Sequence, residues 1–559
     1  MVRLRPNWVR KTNINNKNIK EMKRLFTYFA MMVAMVATLV GCTKESESGD
    51  YKCAVPNDAA LVARFDANQV LAKSGLKAEL TQLVRAQLQA EGAPEWAVNL
   101  ADDFRHTGID VEAPMYLFAK VVNSNNLFVA FVAKTYNKSM LDKLIDMAMP
   151  GKASVSGCSV VQLDDNFVFA YNDVAVVCGG VVPLDEYNAH TDINSTPYLV
   201  EVLQNAANGN GGAVLPAYEG SDAAVCMNMA SLADVEIFKR GFINGAGAEY
   251  SPAYAMNLLE QCRNGKIDFA LNFANGSINL DLNASNFPKV EGFQMPVCSN
   301  QNLDKVAADA LLVANLPLNG GEWMKAISTL LQNSPDYKQA LNNILAESGI
   351  GGISIDMALG LISPLLSSVN GDITLAINSV KPTQNYYAQT ADVDACAMVN
   401  VTNSSIMTFL EQTGVLYDSN ITNLGNSNYA TSIDGVPAYF GQKDNLLYAS
   451  TPGVIAPKYP SATSASWYPA VQGSYAYAVV NLSSLFSIPE VKQEVQKEVI
   501  AECGAPGYSV MQLINSLDYL LLTAPTQESL NLSLVFKNKN ENSLKQVVDA
   551  VKYYVYSNM

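Results

Sequence analysis

Short apolar runs closed by a polar residue recur along the chain, and each flows into residues with helical spacing. Five share one pattern: Asp58-AALVA-Arg64, Asp222-AAVCM-Asn228, Asp309-ALLVA-Asn315, Asp394-ACAMV-Asn400 and Tyr475-AYAVV-Asn481. Five successive apolar residues between turn residues suit a strand buried on both faces better than an amphipathic surface helix. Asn68, Ser231, Asn319, Ser404 and Ser484 then stand where a helix N-cap is wanted. The Asn that closes four of the runs reads as satisfying backbone groups while the chain turns from strand into helix. A repeated row of binding residues is the competing reading.

Hairpin signals lie between these units. Lys266–Ala274 and Ser277–Ala284 flank Asn275-Gly276, the dipeptide a type I′ turn favours. Met115–Val122 and Leu127–Lys134 flank an Asn/Ser turn, and Ser159, Asn166 and Val174 open a three-stranded meander. Further strands are expected at Ala438–Phe440, Leu446–Ser450, Tyr519–Thr523 and Leu530–Phe536. Helical spacing marks Lys77–Ala90, Thr196–Ala207, Trp323–Gln332, Val491–Ala501 and Ser543–Val555. The pattern recurs coarsely, since Gly108-Ile109-Asp110 precedes one strand (MYLFAK) and Ile355-Asp356-Met357 precedes another (ITLAIN). The expected class is α+β: antiparallel sheets with helices on one face, in two tandem halves at 54–290 and 302–559. Asn286–Gln301 is the expected linker.

The N-terminus carries an address. Leu25–Gly41 is apolar, follows Lys23-Arg24 and ends in Leu39-Val40-Gly41-Cys42. A basic start, an apolar stretch and small residues at the end make a secretory signal peptide at 22–41. Leu39-Val40-Gly41-Cys42 resembles the lipobox of bacterial lipoproteins, which implies that Cys42 carries the acyl chains, palmitate among them, that hold the protein in the membrane. Met22 begins a signal of ordinary length, so residues 1–21 are expected to be an over-extended start. Residues 42–53 read as an acidic tether.

Charge then sharpens the picture. The 559 residues hold 37 Lys or Arg and 52 Asp or Glu, a net −15. Eight of those basic residues and one Glu fall in residues 1–41, so the remainder carries about −22. Such a surface argues against nucleic acid, whose phosphates need clustered cations. Anionic lipid headgroups would repel it too, which leaves the anchoring to the acyl chains on Cys42.

Chemistry is sparse. No nucleophile elbow, phosphate loop or His-Glu-x-x-His is present, and the residues suggest no metal or cofactor. Gly349–Gly352 lacks the Lys of a phosphate loop. A triad would need His106 or His190, the only two histidines, and neither sits in a persuasive setting. The pairs Asp102-Asp103 and Asp164-Asp165 read as turn residues rather than as acid and base. Of the cysteines, Cys262, Cys298 and Cys503 are the better disulfide candidates, while Cys158 and Cys178 should lie too far apart. Trp467-Tyr468 and Tyr386-Tyr387 are candidate exposed aromatics for a sugar.

The lipobox, the opening Val55-Pro56-Asn57-Asp58-Ala59-Ala60, Lys73-Ser74-Gly75-Leu76, the Gly108-Ile109-Asp110 step and the Phe167–Gly179 meander resemble an uncharacterised Bacteroidetes lipoprotein family. That family is known only as a domain of unknown function. The resemblance implies an outer-membrane lipoprotein, facing the periplasm or the cell surface, and supplies no catalytic residues. The expected role is binding or scaffolding at the cell envelope, with a protein or glycan as ligand. The alternatives are a carboxylate-dependent hydrolase with a cleft between the halves, and a subunit of a fimbria-like assembly.

Overall fold

The structure is a computed structural model. It describes residues 49–559 apart from most of 77–106 and short stretches at 149–150, 164–165, 185–192, 211–218, 246–251, 290–292, 348–351, 386–387, 434, 505–506 and 559. Cys42, the leader, His106, His190, both aspartate pairs, Tyr386-Tyr387 and Gly349–Gly351 lie outside the described residues.

The first eleven strands are β1 Ala59–Phe65, β2 Ile109–Asp110, β3 Met115–Asn123, β4 Asn126–Thr135, β5 Ala153–Val155, β6 Cys158–Gln162, β7 Phe167–Tyr171, β8 Ala175–Pro183, β9 Ala223–Asn228, β10 Lys266–Ala274 and β11 Ser277–Ser285. The next ten are β12 Leu312–Asn319, β13 Val369–Asn385, β14 Ala388–Val401, β15 Thr422–Gly425, β16 Asn428–Ile433, β17 Val436–Lys443, β18 Leu446–Ser450, β19 Ala476–Val480, β20 Leu517–Thr526 and β21 Ser529–Phe536. All pair antiparallel. The order is β5-β6-β7-β8-β4-β3-β1-β9-β10-β11, then β21-β20-β19-β12-β13-β14-β18-β17-β16-β15, with β2 on β4. This is one open antiparallel sheet with interspersed helices, an α+β fold.

The two strings of strands run through the same order in opposite directions. β1, β3, β4, β8 and β9 pair among themselves as β12, β13, β14, β18 and β19 do. The register agrees as well: Arg64 lies opposite Tyr116 and Ala224, and Asn315 opposite Thr374 and Tyr477. The strings meet at β11 and β21, where Ser277 pairs with Val535 and Asn283 with Ser529. A local twofold relation between equivalent edge strands produces such a self-complementary junction.

Buried runs place helices on both faces. Val168, Ala170 and Val177 pack with Leu199, Leu203 and Ala206 of the helix Thr196–Asn208. Their neighbours Phe169, Tyr171 and Val176 pack with Leu141 and Ile145 of the helix Lys138–Ala148. Successive strand residues point to opposite faces, so these helices lie on opposite sides of β7 and β8. The sequence FVFAY, apolar at every position, already carries that two-sided burial. In the second string the inner face packs under Leu303, Val306, Ile455, Trp467 and Val471.

The helix starts differ in detail from the sequence reading. Asn319 caps its helix as expected, accepting from Glu322 N at 3.2 Å. Ser404 holds the cap position, while neighbouring Asn403 accepts from Ser405 N. Elsewhere the cap falls earlier: Asp66 instead of Asn68, Asn228 instead of Ser231, and Asn481 instead of Ser484. In each, a carboxylate or amide oxygen accepts from a free first-turn amide, and the first side chain able to do so takes the position. The expected linker is pinned at its far end, where Cys298 N donates to Ser474 O.

Candidate binding surface

Asn315 and Asn400, two of the Asn residues that close the repeated runs, meet in one buried network instead of capping helices. Asp372 of β13 takes four donors: Ser299 N at 3.0 Å, Ser299 Oγ at 3.0 Å, Asn300 N at 2.7 Å and Asn315 Nδ2 at 3.0 Å. Thr374 Oγ1 donates to Asn315 Oδ1 at 2.8 Å and accepts from Asn302 Nδ2 at 3.2 Å. Asn302 Nδ2 also donates to Asn400 Oδ1 at 2.9 Å, and the Tyr477 hydroxyl donates to Asn300 Oδ1 at 2.7 Å. Asp372, Thr374, Asn302 and Asn315 are all buried. Each group answers another, which is how buried polar groups offset the loss of water. The network fastens the chain entering β12 to the sheet.

In the first string the corresponding layer is built from a cation and aromatic rings. Arg64, buried like Asn315, donates to Ser221 O and to Asp66 Oδ2. Tyr116 takes the place of Thr374, and its ring packs against Tyr51 at 5.9 Å. Nearby, Lys73 donates to both oxygens of the fully buried Asp222 at 2.7 Å, and Phe273 N donates to the second oxygen. Every charge here is committed to a structural partner.

The thiols are no better placed for chemistry. All eight described cysteines are free, including the three disulfide candidates Cys262, Cys298 and Cys503. Cys178 stands opposite Phe169 and Phe169 opposite Val161, so Cys158 is three residues off that row. Burial, helped by Asp268, pushes Cys226 up to about 12; burial with Asp372 does the same for Cys298, and Cys396 rises to about 11. Thiols held protonated are poor nucleophiles. Among the described residues no group of three His, Cys, Asp or Glu could hold a metal ion, and no helix is long and apolar enough to cross a membrane.

The opposite face of the sheet is apolar and partly open. One row of paired residues crosses it without a polar member: Met115, Phe65, Ala223, Leu271, Leu280, Leu532, Leu522, Ala478, Ala314, Leu375, Ala397, Ala449 and Phe440. Its centre reaches solvent, with Leu375 47% and Leu280 39% exposed. There a hollow of about 260 Å³ opens over β12, β13, β19, β20 and β21. Alanines 314, 476, 478 and 524 make its floor; Leu316, Leu375, Leu522 and Leu530 stand around it. None of its lining residues is charged. An exposed patch of this kind on a folded surface marks a place of contact.

The sequence reading located neither the hollow nor the network, because both depend on which runs become neighbours. One signal was available: the alternate residues of AYAVV are Ala, Ala and Val, and those of LLLTA are Leu, Leu and Ala, small side chains beside large ones. Trp467, a candidate sugar platform, is 2% exposed and packs against Tyr477 at 6.4 Å. It is a core residue, placed there by the turn around Ala462–Val471 that covers the inner face.

No curated protein matches the chain. Two solved crystal forms of a protein called TP0453 are similar to it at 12% and 10% identity. They cover 45% of this chain and 83% and 84% of that one, with TM-scores of 0.23 and 0.22. Residues 339–544 match a family model described as a domain of unknown function, DUF4836.

Proposed function

We propose that the protein is a non-catalytic binding component of the cell envelope. In this reading Cys42 anchors it in the outer membrane, and the open sheet face receives one alkyl chain of an amphiphile. The hollow among Ala314, Ala478, Leu375 and Leu522 carries the reading. It is smaller than the ~300–1,000 Å³ of most small-molecule pockets and offers none of the converging polar groups that orient such ligands. An alkyl chain needs neither. A partner helix, ~10–12 Å across, is as wide as the floor, whose three strands at ~4.8 Å spacing span ~10 Å between the outer two, and would ride on the leucines. The lipobox supports the anchor. The hydrolase alternative invoked a cleft between the halves, yet among the described residues β11 and β21 join them by a continuous ladder.

The test is a titration of the purified chain with cis-parinaric acid, whose fluorescence rises in apolar surroundings. Saturable binding is expected. Ala478→Trp fills the floor and should weaken it by roughly tenfold, which corresponds to losing about two buried methylenes. Absence of binding, or equal affinity in the variant, overturns the reading.

A further inference from the structure

A second hollow of about 600 Å³ lies far from the first, beside the outer strands β15 and β16. Its character is different. Tyr417, Asp418, Asn420, Thr431 and Ser432 line it together with Val415 and Ile421, so an aromatic ring, a carboxylate, an amide and two hydroxyls border one space. Tyr417 is 80% exposed, far more than packing requires of a tyrosine. Its backbone is nevertheless held. Leu416 next to it is buried with Met407 and Tyr429, Tyr417 N donates to Gly414 O at 3.0 Å, and Ile421 N donates to Asp418 O at 2.9 Å. Asp418 Oδ1 accepts from Asn420 N at 2.8 Å, which fixes the carboxylate at the rim.

We infer that this hollow is a subsite for a neutral sugar ring, separate from the apolar hollow and independent of its ligand. The ring of Tyr417 offers an apolar face on which the C–H side of a pyranose stacks. The surrounding amide, hydroxyl and carboxylate groups match a ligand carrying hydroxyls around its edge. A phosphate or a sulfated sugar would meet Asp418 with no Lys or Arg among the lining residues to offset it. A metal ion would find a single carboxylate. An alkyl chain would leave the polar groups unanswered. Tyr417 comes from the turn after a helix and Thr431 from a strand, so two separately packed elements shape the site.

The test is affinity electrophoresis of the full chain through gels containing laminarin, galactomannan, xylan or amylopectin. Retardation by at least one of these is expected. Tyr417→Ala should raise the dissociation constant for that polysaccharide by roughly fivefold to tenfold, and Tyr417→Phe should keep the parent affinity. Because Tyr417 stands in solvent, the urea midpoint of both variants should equal the parent's. Unretarded migration in all four gels overturns the inference, as does retardation of Tyr417→Ala equal to the parent's.

Discussion

Replacing Asp372 by Asn tests whether the buried network holds the second string together. The substitution preserves volume and turns one acceptor oxygen into a donor. With the amide oxygen on the Ser299 N side, the new NH₂ faces Asn300 N and Asn315 Nδ2, now 2.7 and 3.0 Å from Asp372 Oδ2. The Ser299 hydroxyl can rotate and accept from the new group; the other two donors cannot. Asn315 Nδ2 keeps a bond to Asn300 Oδ1 at 3.2 Å, so Asn300 N is the donor left orphaned, and the expected loss is ~1–3 kcal/mol. Urea unfolding followed by tryptophan fluorescence reads it, since Trp467 lies in the core on the same face of the sheet. Because Ser299 and Asn300 are what Asp372 grips, limited proteolysis should also cut faster near residues 286–301. A variant within about 0.5 kcal/mol of the parent, with unchanged cleavage, would refute the view that these bonds fasten the chain. Thr374→Val, which removes one donor and one acceptor, should fall between the two.

Two further outcomes are expected. Asp142 is disfavoured by burial, but donation from Lys152, Tyr171 and Lys138 outweighs this and holds its carboxyl down at about 2. Its stabilising contribution is therefore complete above the unfolded value near 4 and lost as pH falls through about 2. Solvent screening at this partly exposed site limits the contribution to about 1–2 kcal/mol. Urea midpoints measured from pH 5 to pH 2 should fall less steeply in Asp142→Asn than in the parent, and identical slopes would contradict this. Metabolic labelling of producing cells with an alkyne-tagged palmitate should mark the parent chain and leave Cys42→Ser unmarked; a labelled variant would place the acyl chains elsewhere.

Period and turn chemistry made much of the fold legible. Asn275-Gly276 announced the hairpin β10–β11, and the five Asp- or Tyr-headed runs became β1, β9, β12, β14 and β19. What failed were assignments that depend on neighbours. Asn315 and Asn400 resemble Asn228 and Asn481 in sequence, yet the latter two cap helices and the former two are linked to each other through Thr374 and Asn302. Distance to the next helix makes the difference: β12 continues four residues beyond Asn315, and the helix after β14 begins only at Ser405, so no free helix amide is within reach of either. Trp467 failed for a similar reason, since an aromatic in a Pro-containing turn gives no sign of the face it will cover. The subsite around Tyr417 is likewise invisible in sequence, because Thr431 and Ser432 reach it only through the pairing of β15 with β16.

The equivalence of the two strings shows how the first differs from the second where the apolar hollow lies. Paired by register, Ala314 corresponds to Ala63, Leu375 to Leu117, Ala478 to Val225 and Ala524 to Leu271. Two of the four floor positions in the second string thus carry larger side chains in the first, and the wall residue Leu316 corresponds to Phe65. Phe65 and Met115 pack there with Ala67, Val111 and Ala133, so that stretch of the first string has a core of its own. Main-chain pairing tolerates these exchanges, because the ladder uses groups every residue carries and the apolar face is kept throughout. Volume is what changed. A Val and a Leu in place of two alanines add some five methylene-sized groups, enough to close a shallow trough. Ala478→Val with Ala524→Leu should therefore give the second string the filled surface of the first. Because the larger side chains already occur on equivalent strands, this pair should weaken alkyl-chain binding with little cost in stability. Loss of binding without loss of stability would separate a hollow kept for a ligand from one the fold requires.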